Sequence, residues 1–244
     1  MSQGKDHRQE FRVRPDPLGN RIHEGQWQPL MSDMMTSYPG LEDLRNRQTD
    51  LRGIHYRFKP HWERNLDEVD NWDFHTDGEI VLTRVVEASN LLTPIFDAED
   101  FVGSLLKFCI HTLNLFYRLR PLPSLEYFLA LTDLNGKVLV VDPGFVGQPV
   151  RLPFICGTSG EVKRGFLLAT SLAPGELPRV VASLKAELRG YSNSVLGAFT
   201  APPVLGRSSW PPEITESRFE ALFNGVLSAC NFKKGIFPIV SGPG

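Results

Sequence analysis

The chain is short of the features that mark membrane proteins, secreted scaffolds and most enzymes. No apolar run approaches the roughly 20 residues that cross a bilayer as a helix. The stretch from Met1 to Glu10 is polar and holds no signal-type apolar segment, so a cytoplasmic location is the expectation. Only 3 cysteines are present, Cys109, Cys156 and Cys230. They are far apart, odd in number and set mostly among apolar neighbours, which reads as buried free thiols in a reducing compartment. No zinc-type spacing of cysteine or histidine occurs. A catalytic thiol needs a nearby base, yet all 6 histidines lie at or before His111. Cys109 and His111 are close in sequence, but i and i+2 do not face each other on a helix. An excess of one charge is missing as well. Lys and Arg number 26 against 28 Asp and Glu, with a pI near 6.3, so nothing draws the whole chain toward nucleic acid or acidic lipid.

What is present is an ordinary globular composition. The 244 residues suffice for one large domain or two modest ones, with 41% hydrophobic and 22% charged residues. The 19 prolines and 21 glycines imply much loop. The most informative stretch runs from Trp72 to Asp142. Asp77-Gly78 and Asn135-Gly136 stand between apolar runs, and such dipeptides predict hairpins over Trp72–Val86 and Leu125–Val141. Between them Phe101, Leu105, Phe108, Thr112, Leu115 and Leu119 repeat at spacings of three and four. Asp97 stands as N-cap, Glu99 and Asp100 follow in the first turn, and Pro121 stops the helix. This predicts one long helix over about 97–120.

Elsewhere the patterns are weaker. Residues 1–40 lack periodicity and read as extended or partly disordered. Leu41, Leu44 and Leu51 predict a short helix, and Ile54 to Phe58 alternates as a strand. Two further strands are expected over Gln148–Cys156 and Val162–Ser171, joined by a turn at Thr158 to Glu161. Pro178 opens a helix as an N1 proline. Residues 199–213, with two proline pairs, read as a linker, and a last helix runs from about Thr215 to Cys230. Arg218 stands where a capping box wants Glu or Gln, so that helix start is imperfect. The domain reading is therefore an α+β core over 41–198, then the linker, then a C-terminal helix and tail over 214–244. The core is an antiparallel sheet of about five or six strands with the long helix on one face.

Candidate chemistry is sparse. A calcium loop begun at Asp73 places Asp77 fifth and Gly78 sixth, but His75 falls third and Arg84 twelfth, where oxygen ligands belong. His55, His61 and His75 with Asp73 and Asp77 sit near one hairpin, but no helix places two histidines at i and i+4. No metal, cofactor or catalytic residue is therefore assigned. The group Arg45, Arg47, Arg52, Arg57 and Lys59, with Tyr56 and Phe58 interleaved, is the best nucleic-acid candidate. Asp43 and Asp50 dilute it, and alternation turns Ile54, Tyr56 and Phe58 inward. The loops Gly144 to Gly147 and Gly157 to Gly160 lack the phosphate-loop lysine and dinucleotide spacing.

The run from Trp72 through Asp77-Gly78-Glu79-Ile80, the Asp97–Tyr117 helix, Tyr127–Leu131 and Leu134-Asn135-Gly136 resembles the C-terminal region of bacterial Schlafen/AlbA-type proteins. Those proteins carry an N-terminal DNA- or nucleotide-binding module that is not recognisable in this chain. The resemblance implies a prokaryotic regulatory or defence-associated accessory domain and carries over no functional residue. The resulting expectation is a non-catalytic binding or assembly module, with nucleic-acid binding and metal-assisted hydrolysis as alternatives. Met31, Met34, Met35 and Trp210 are the expected contacts to a protein partner or a second copy, since Met adapts to and Trp anchors interfaces.

Overall fold

The computed structural model describes residues 6–16, 22, 25, 27, 31, 34, 35, 38, 41–58, 67–87, 95–120, 124–141, 155–157, 160–169, 177–200, 212–230 and 237–238. Its centre is a seven-stranded antiparallel sheet, a larger sheet than the five or six strands expected. In spatial order the strands are β11 (Val162–Leu168), β8 (Ser124–Thr132), β1 (His7–Asp16), β5 (Ile80–Glu87), β4 (Asp67–His75), β3 (Gly53–Phe58) and β2 (Arg47–Asp50). A four-stranded sheet joins β12 (Phe199–Thr200), β10 (Ile155–Cys156), β9 (Val138–Val140) and β6 (Ile95–Asp97). A short parallel pair joins β7 (Leu119–Arg120) to β13 (Phe237–Pro238). Among the described residues three helices have defined bounds, α1 (Ala98–Tyr117), α2 (Leu177–Leu196) and α3 (Glu216–Ala229).

The helix α1 forms where its periodicity predicts. Asp97 Oδ1 accepts the Asp100 N–H at 3.0 Å, and Glu99 and Asp100 meet the positive end of the helix. It ends at Tyr117, three residues before the expected stop, because Leu119 and Arg120 extend to pair with Phe237 and Pro238. The helix is buried around most of its circumference. Phe101 and Phe108 pack on Phe11 of β1, and Tyr127 of β8 donates to the Cys109 carbonyl. Tyr191 of α2 lies against Phe101, and Arg218 of α3 bonds Glu99. The long helix α1 thus lies on the inner face of the large sheet, with α2 and α3 packed against it. The inner layer is contiguous, so roughly 1.5–3 kcal/mol per fully buried large side chain adds up across one core.

Several expectations are corrected. Residues 7–16 are not a loose arm: β1 is an interior strand, third of the seven, hydrogen-bonded to β5 and β8 on its two sides. The core therefore begins before residue 41. Trp27, Met31, Met34, Tyr38 and Leu41 join it, with Trp27 edge-on to Phe74 and Tyr38 edge-on to Trp72. The short helix expected over Leu41–Leu51 is a single 3-10 turn at Leu44–Asn46 followed by β2, which pairs with β3. Its leucine spacing misled because Leu44 and Leu51 are exposed.

The Asp77-Gly78 hairpin forms between β4 and β5, closed by His75 N–H donating to the Glu79 carbonyl at 2.8 Å. The Asn135-Gly136 hairpin does not form. After β8, Asp133 at φ +62° turns the chain away, and β9 pairs with β6 and β10 in the smaller sheet. The two strands expected on either side of the Thr158–Glu161 turn join different sheets, β10 the small one and β11 the edge of the large one. The α2 helix runs to Leu196, beyond the expected Tyr191. Thr215 precedes α3 without a side-chain cap bond, in keeping with its imperfect capping box.

Candidate functional site

Strand alternation gives the large sheet two unlike faces. On β1, His7, Gln9, Phe11 and Val13 turn inward, while Arg8, Glu10, Arg12 and Arg14 turn outward. One outward row crosses all seven strands in register: Gly165, Phe128, Arg12, Val81, Asp73, His55 and Gln48. Phe128 is 36% exposed and has the Arg12 guanidinium 5.9 Å from its ring centre. On its other side Gly165 leaves a notch, where an added Cβ would meet nothing nearer than the Tyr127 carbonyl oxygen at 3.8 Å. Leu167, one outward position along β11, is 60% exposed. The outward arginines are paired: Arg8 and Arg12 each reach Glu10 at 3.0 Å, and Arg14 reaches Glu126 at 2.9 Å.

At the far end of the face, His55 bridges three strands. Its Nδ1 lies 2.7 Å from Asp73 of β4 and its Nε2 lies 3.1 Å from Asp50 of β2. Burial lowers its pKa, but the bonds to Asp73 and Asp50 outweigh that and raise it. The His75 ring stands edge-on at 5.9 Å. The structure therefore gathers His55, Asp73 and His75 as strand pairing allows and adds Asp50. Asp77 instead accepts the Glu79 N–H at 3.0 Å as a turn residue, and His61 lies outside the described residues. Both His55 nitrogens are taken by carboxylates, and among the described residues no group of three ligating side chains is arranged to hold a metal.

The basic group does not merge into one patch. Arg45 is clasped by Asp43 through three side-chain bonds of 2.8–3.1 Å. Arg52 is in the β2–β3 turn beside Asp50, whose Oδ1 accepts its backbone N–H. Arg57 faces outward from β3, Arg47 is half-buried, and Lys59 lies outside the described residues. Carboxylates interleave with these cations, which is poor geometry for tracking a phosphate backbone. Met31 and Met34 are enclosed in this chain's own core and Met35 packs against it, so they offer no partner surface. Trp210 lies outside the described residues.

Sequence reasoning missed a polar cluster buried beneath the start of α1. Arg84 of β5 and Asp70 of β4 face inward among Leu82, Val86, Trp72 and Phe74, and their side chains meet at 3.0 Å. Arg84 also bonds Ser104 and reaches Asp100 at 3.4 Å. Burial raises the Asp70 carboxyl despite the adjacent Arg84, and burial lowers the Lys107 ammonium. Beside them His7 is held neutral, its pKa lowered to about 3 by burial and then by Lys137 and Arg84. A signal existed in the sequence. Asp100, Ser104, Lys107, His111, Asn114 and Arg118 recur at spacings of four and three along a helix otherwise apolar. Farther along that stripe His111 meets Cys230, with Sγ 3.3 Å from Nδ1 and 3.6 Å from Nε2.

In comparisons with known proteins the chain matches no family model, no curated protein and no solved structure.

Proposed function

We propose that this chain is a non-catalytic binding module of a multi-component assembly, and that the outer face of its seven-stranded sheet is the docking surface. The observation that carries the reading is Phe128, held open on that face between Arg12 and the Gly165 notch, with Leu167 nearby. An aromatic and an arginine at the centre of a polar field match the composition of interface hot spots. The partner is a protein surface of mixed charge. Each outward arginine on β1 already faces a carboxylate, so a polyanion would have to break those pairs, whereas a protein bearing both signs would extend them.

The experiment compares the complexes recovered with the wild-type chain, Phe128→Asp and Leu51→Asp. Leu51 is 99% exposed at the β2–β3 turn and serves as the control. A partner held by the wild type and by Leu51→Asp but lost by Phe128→Asp supports the reading. Recovery of the same set by all three, or of nothing by the wild type, sinks it.

A further inference from the structure

The seven-stranded sheet ends at β11 on one side and at β2 on the other, and the two edges differ. β2 has 4 residues, whereas β11 has 7, Val162–Leu168, with no proline among them. Among the described residues no strand pairs with the outer edge of β11. The strand is fixed from its inner side. Arg164 bonds Glu187 of α2 at 2.6 and 2.9 Å, and Tyr191 O–H donates to the Val162 carbonyl at 3.1 Å. Phe166 stacks on Tyr127 with ring centres 5.1 Å apart. A long edge strand held in place is a template on which a further strand can pair.

The residues of β11 select the strand that fits. Gly165 is its middle residue, and an antiparallel copy centred there would pair the strand along its whole length. Val162 would lie opposite Leu168, Lys163 opposite Leu167, Arg164 opposite Phe166, and Gly165 opposite itself. A register centred on Lys163 or Arg164 would set like charges directly opposite, which disfavours it. On the outward face the Lys163 stem would cross Leu167 of the second copy, and the next residue in that row is the second copy's Glu126. The Lys163 and Glu126 side chains are 51% and 52% exposed, so both can turn toward such a contact, and two-fold symmetry makes it twice. The central row would read Phe128, Gly165, Gly165, Phe128. Its two Phe128 Cα atoms would stand three strand spacings apart, roughly 14 Å, with only glycines between them. An aromatic ring leaning over a strand glycine supplies the packing that the glycine lacks.

We propose that the chain forms a two-fold dimer through β11, centred on Gly165, which joins two seven-stranded sheets edge to edge into one. The proposal rests on the outer-face reading and names the partner there as a second copy of this chain. The charge pattern supports a copy over another strand. Both cations of β11 lie in its first half and its apolar residues in the second, so the antiparallel copy sets each half against its complement. The contact covers Leu167 and the side of Phe128 that faces the Gly165 notch, two of the exposed large apolar residues of the chain. Because the same strand is used on both sides, the contact closes at the dimer and leaves the short β2 strands at the ends.

The test is sedimentation velocity of the full chain over a wide concentration range. The wild type is expected to pass from monomer to dimer and no further. Gly165→Asp has open space for its side chain in the monomer but sets two carboxylates together on the axis, and is expected to stay monomeric. Lys163→Glu and Glu126→Lys are each expected to weaken the dimer about tenfold, since each makes two like-charge contacts. Mixed in equal amounts they are expected to associate with close to wild-type strength, because both contacts of the mixed dimer again join opposite charges. If Gly165→Asp does not fold, this charge exchange decides alone. A wild type that stays monomeric overturns the proposal, as does a dimer that survives Gly165→Asp, growth past the dimer, or a mixture no tighter than its components. The outer-face reading fails separately, if Phe128→Asp keeps every partner of the wild type. Capture through Phe128 of a protein of different sequence alone overturns the self-pairing and leaves that reading in place.

Discussion

Arg84 and Asp70 stand directly opposite each other on adjacent strands, Nε to Oδ1 at 3.0 Å, with both side chains turned into the core. Breaking such a pair from one side strands the other charge. Arg84→Met is therefore expected to cost about 3–5 kcal/mol, whereas Arg84→Met with Asp70→Leu costs less than the single change. Urea unfolding of the two variants measures this. A single variant within about 1 kcal/mol of wild type would show that the pair is not buried as described.

His7 gives the chain an acid limit. Its folded pKa, about 3, lies below the ordinary 6.5. Between those values the unfolded chain binds a proton that the folded chain refuses. Stability is therefore full above pH 6.5 and falls as the pH drops toward 3, by on the order of 3 kcal/mol at pH 4. His7→Gln is expected to flatten that limb of the pH–stability curve. An unchanged slope between pH 6 and 4 in His7→Gln would count against a buried neutral imidazole.

Where local rules govern, the sequence was a faithful guide. The α1 helix and the β4–β5 hairpin depend on a cap, a stripe and a turn that lie within a few residues of one another. The second Asx-Gly turn shows the limit. Asn135-Gly136 fixes a bend, but whether β8 and β9 then pair depends on partners supplied from Ile95, Ile155 and β1. β1 itself was hidden because two of its inward positions are His7 and Gln9, which break the apolar alternation that marks a half-buried strand. The same substitution of polar for apolar residues at inward positions is what creates the buried cluster. A pattern search for core residues passes over Asp70 and Arg84 for the reason that makes them notable.

Gly53 is a backbone requirement at the β2–β3 turn. It holds φ +151°, and a Cβ there would sit 1.9 Å from the Phe74 carbonyl oxygen on β4. Gly53→Ala must push β3 and β4 apart and is expected to cost at least about 2 kcal/mol. Gly136→Ala, also at positive φ but with open space around the new atom, is expected to cost about 1 kcal/mol. Equal midpoints for the two variants in chemical unfolding would refute the close approach of the two strands.

His55 acts in the direction opposite to His7. Two carboxylates on its two nitrogens favour the imidazolium, and its folded pKa lies above the unfolded value despite the opposing effect of burial. Below pH 6.5 both states are protonated and the bridge from β2 through β3 to β4 is fully present. As the pH rises through the folded pKa the proton leaves, and with it one of the two hydrogen bonds. The partly exposed site limits the effect to about 1 kcal/mol or less. Its readout is local, because β2 is an edge strand and Asp50 is the tie that His55 makes to it. Amide hydrogen exchange of Arg47 to Asp50, corrected for the intrinsic pH dependence, is expected to lose protection as the pH rises above 6.5 and through the raised His55 pKa. His55→Gln keeps a ring-free donor and removes the titration, so its protection is expected to be lower at pH 6 and insensitive to pH. A β2 segment whose protection changes with pH equally in wild type and His55→Gln would assign the effect to another group.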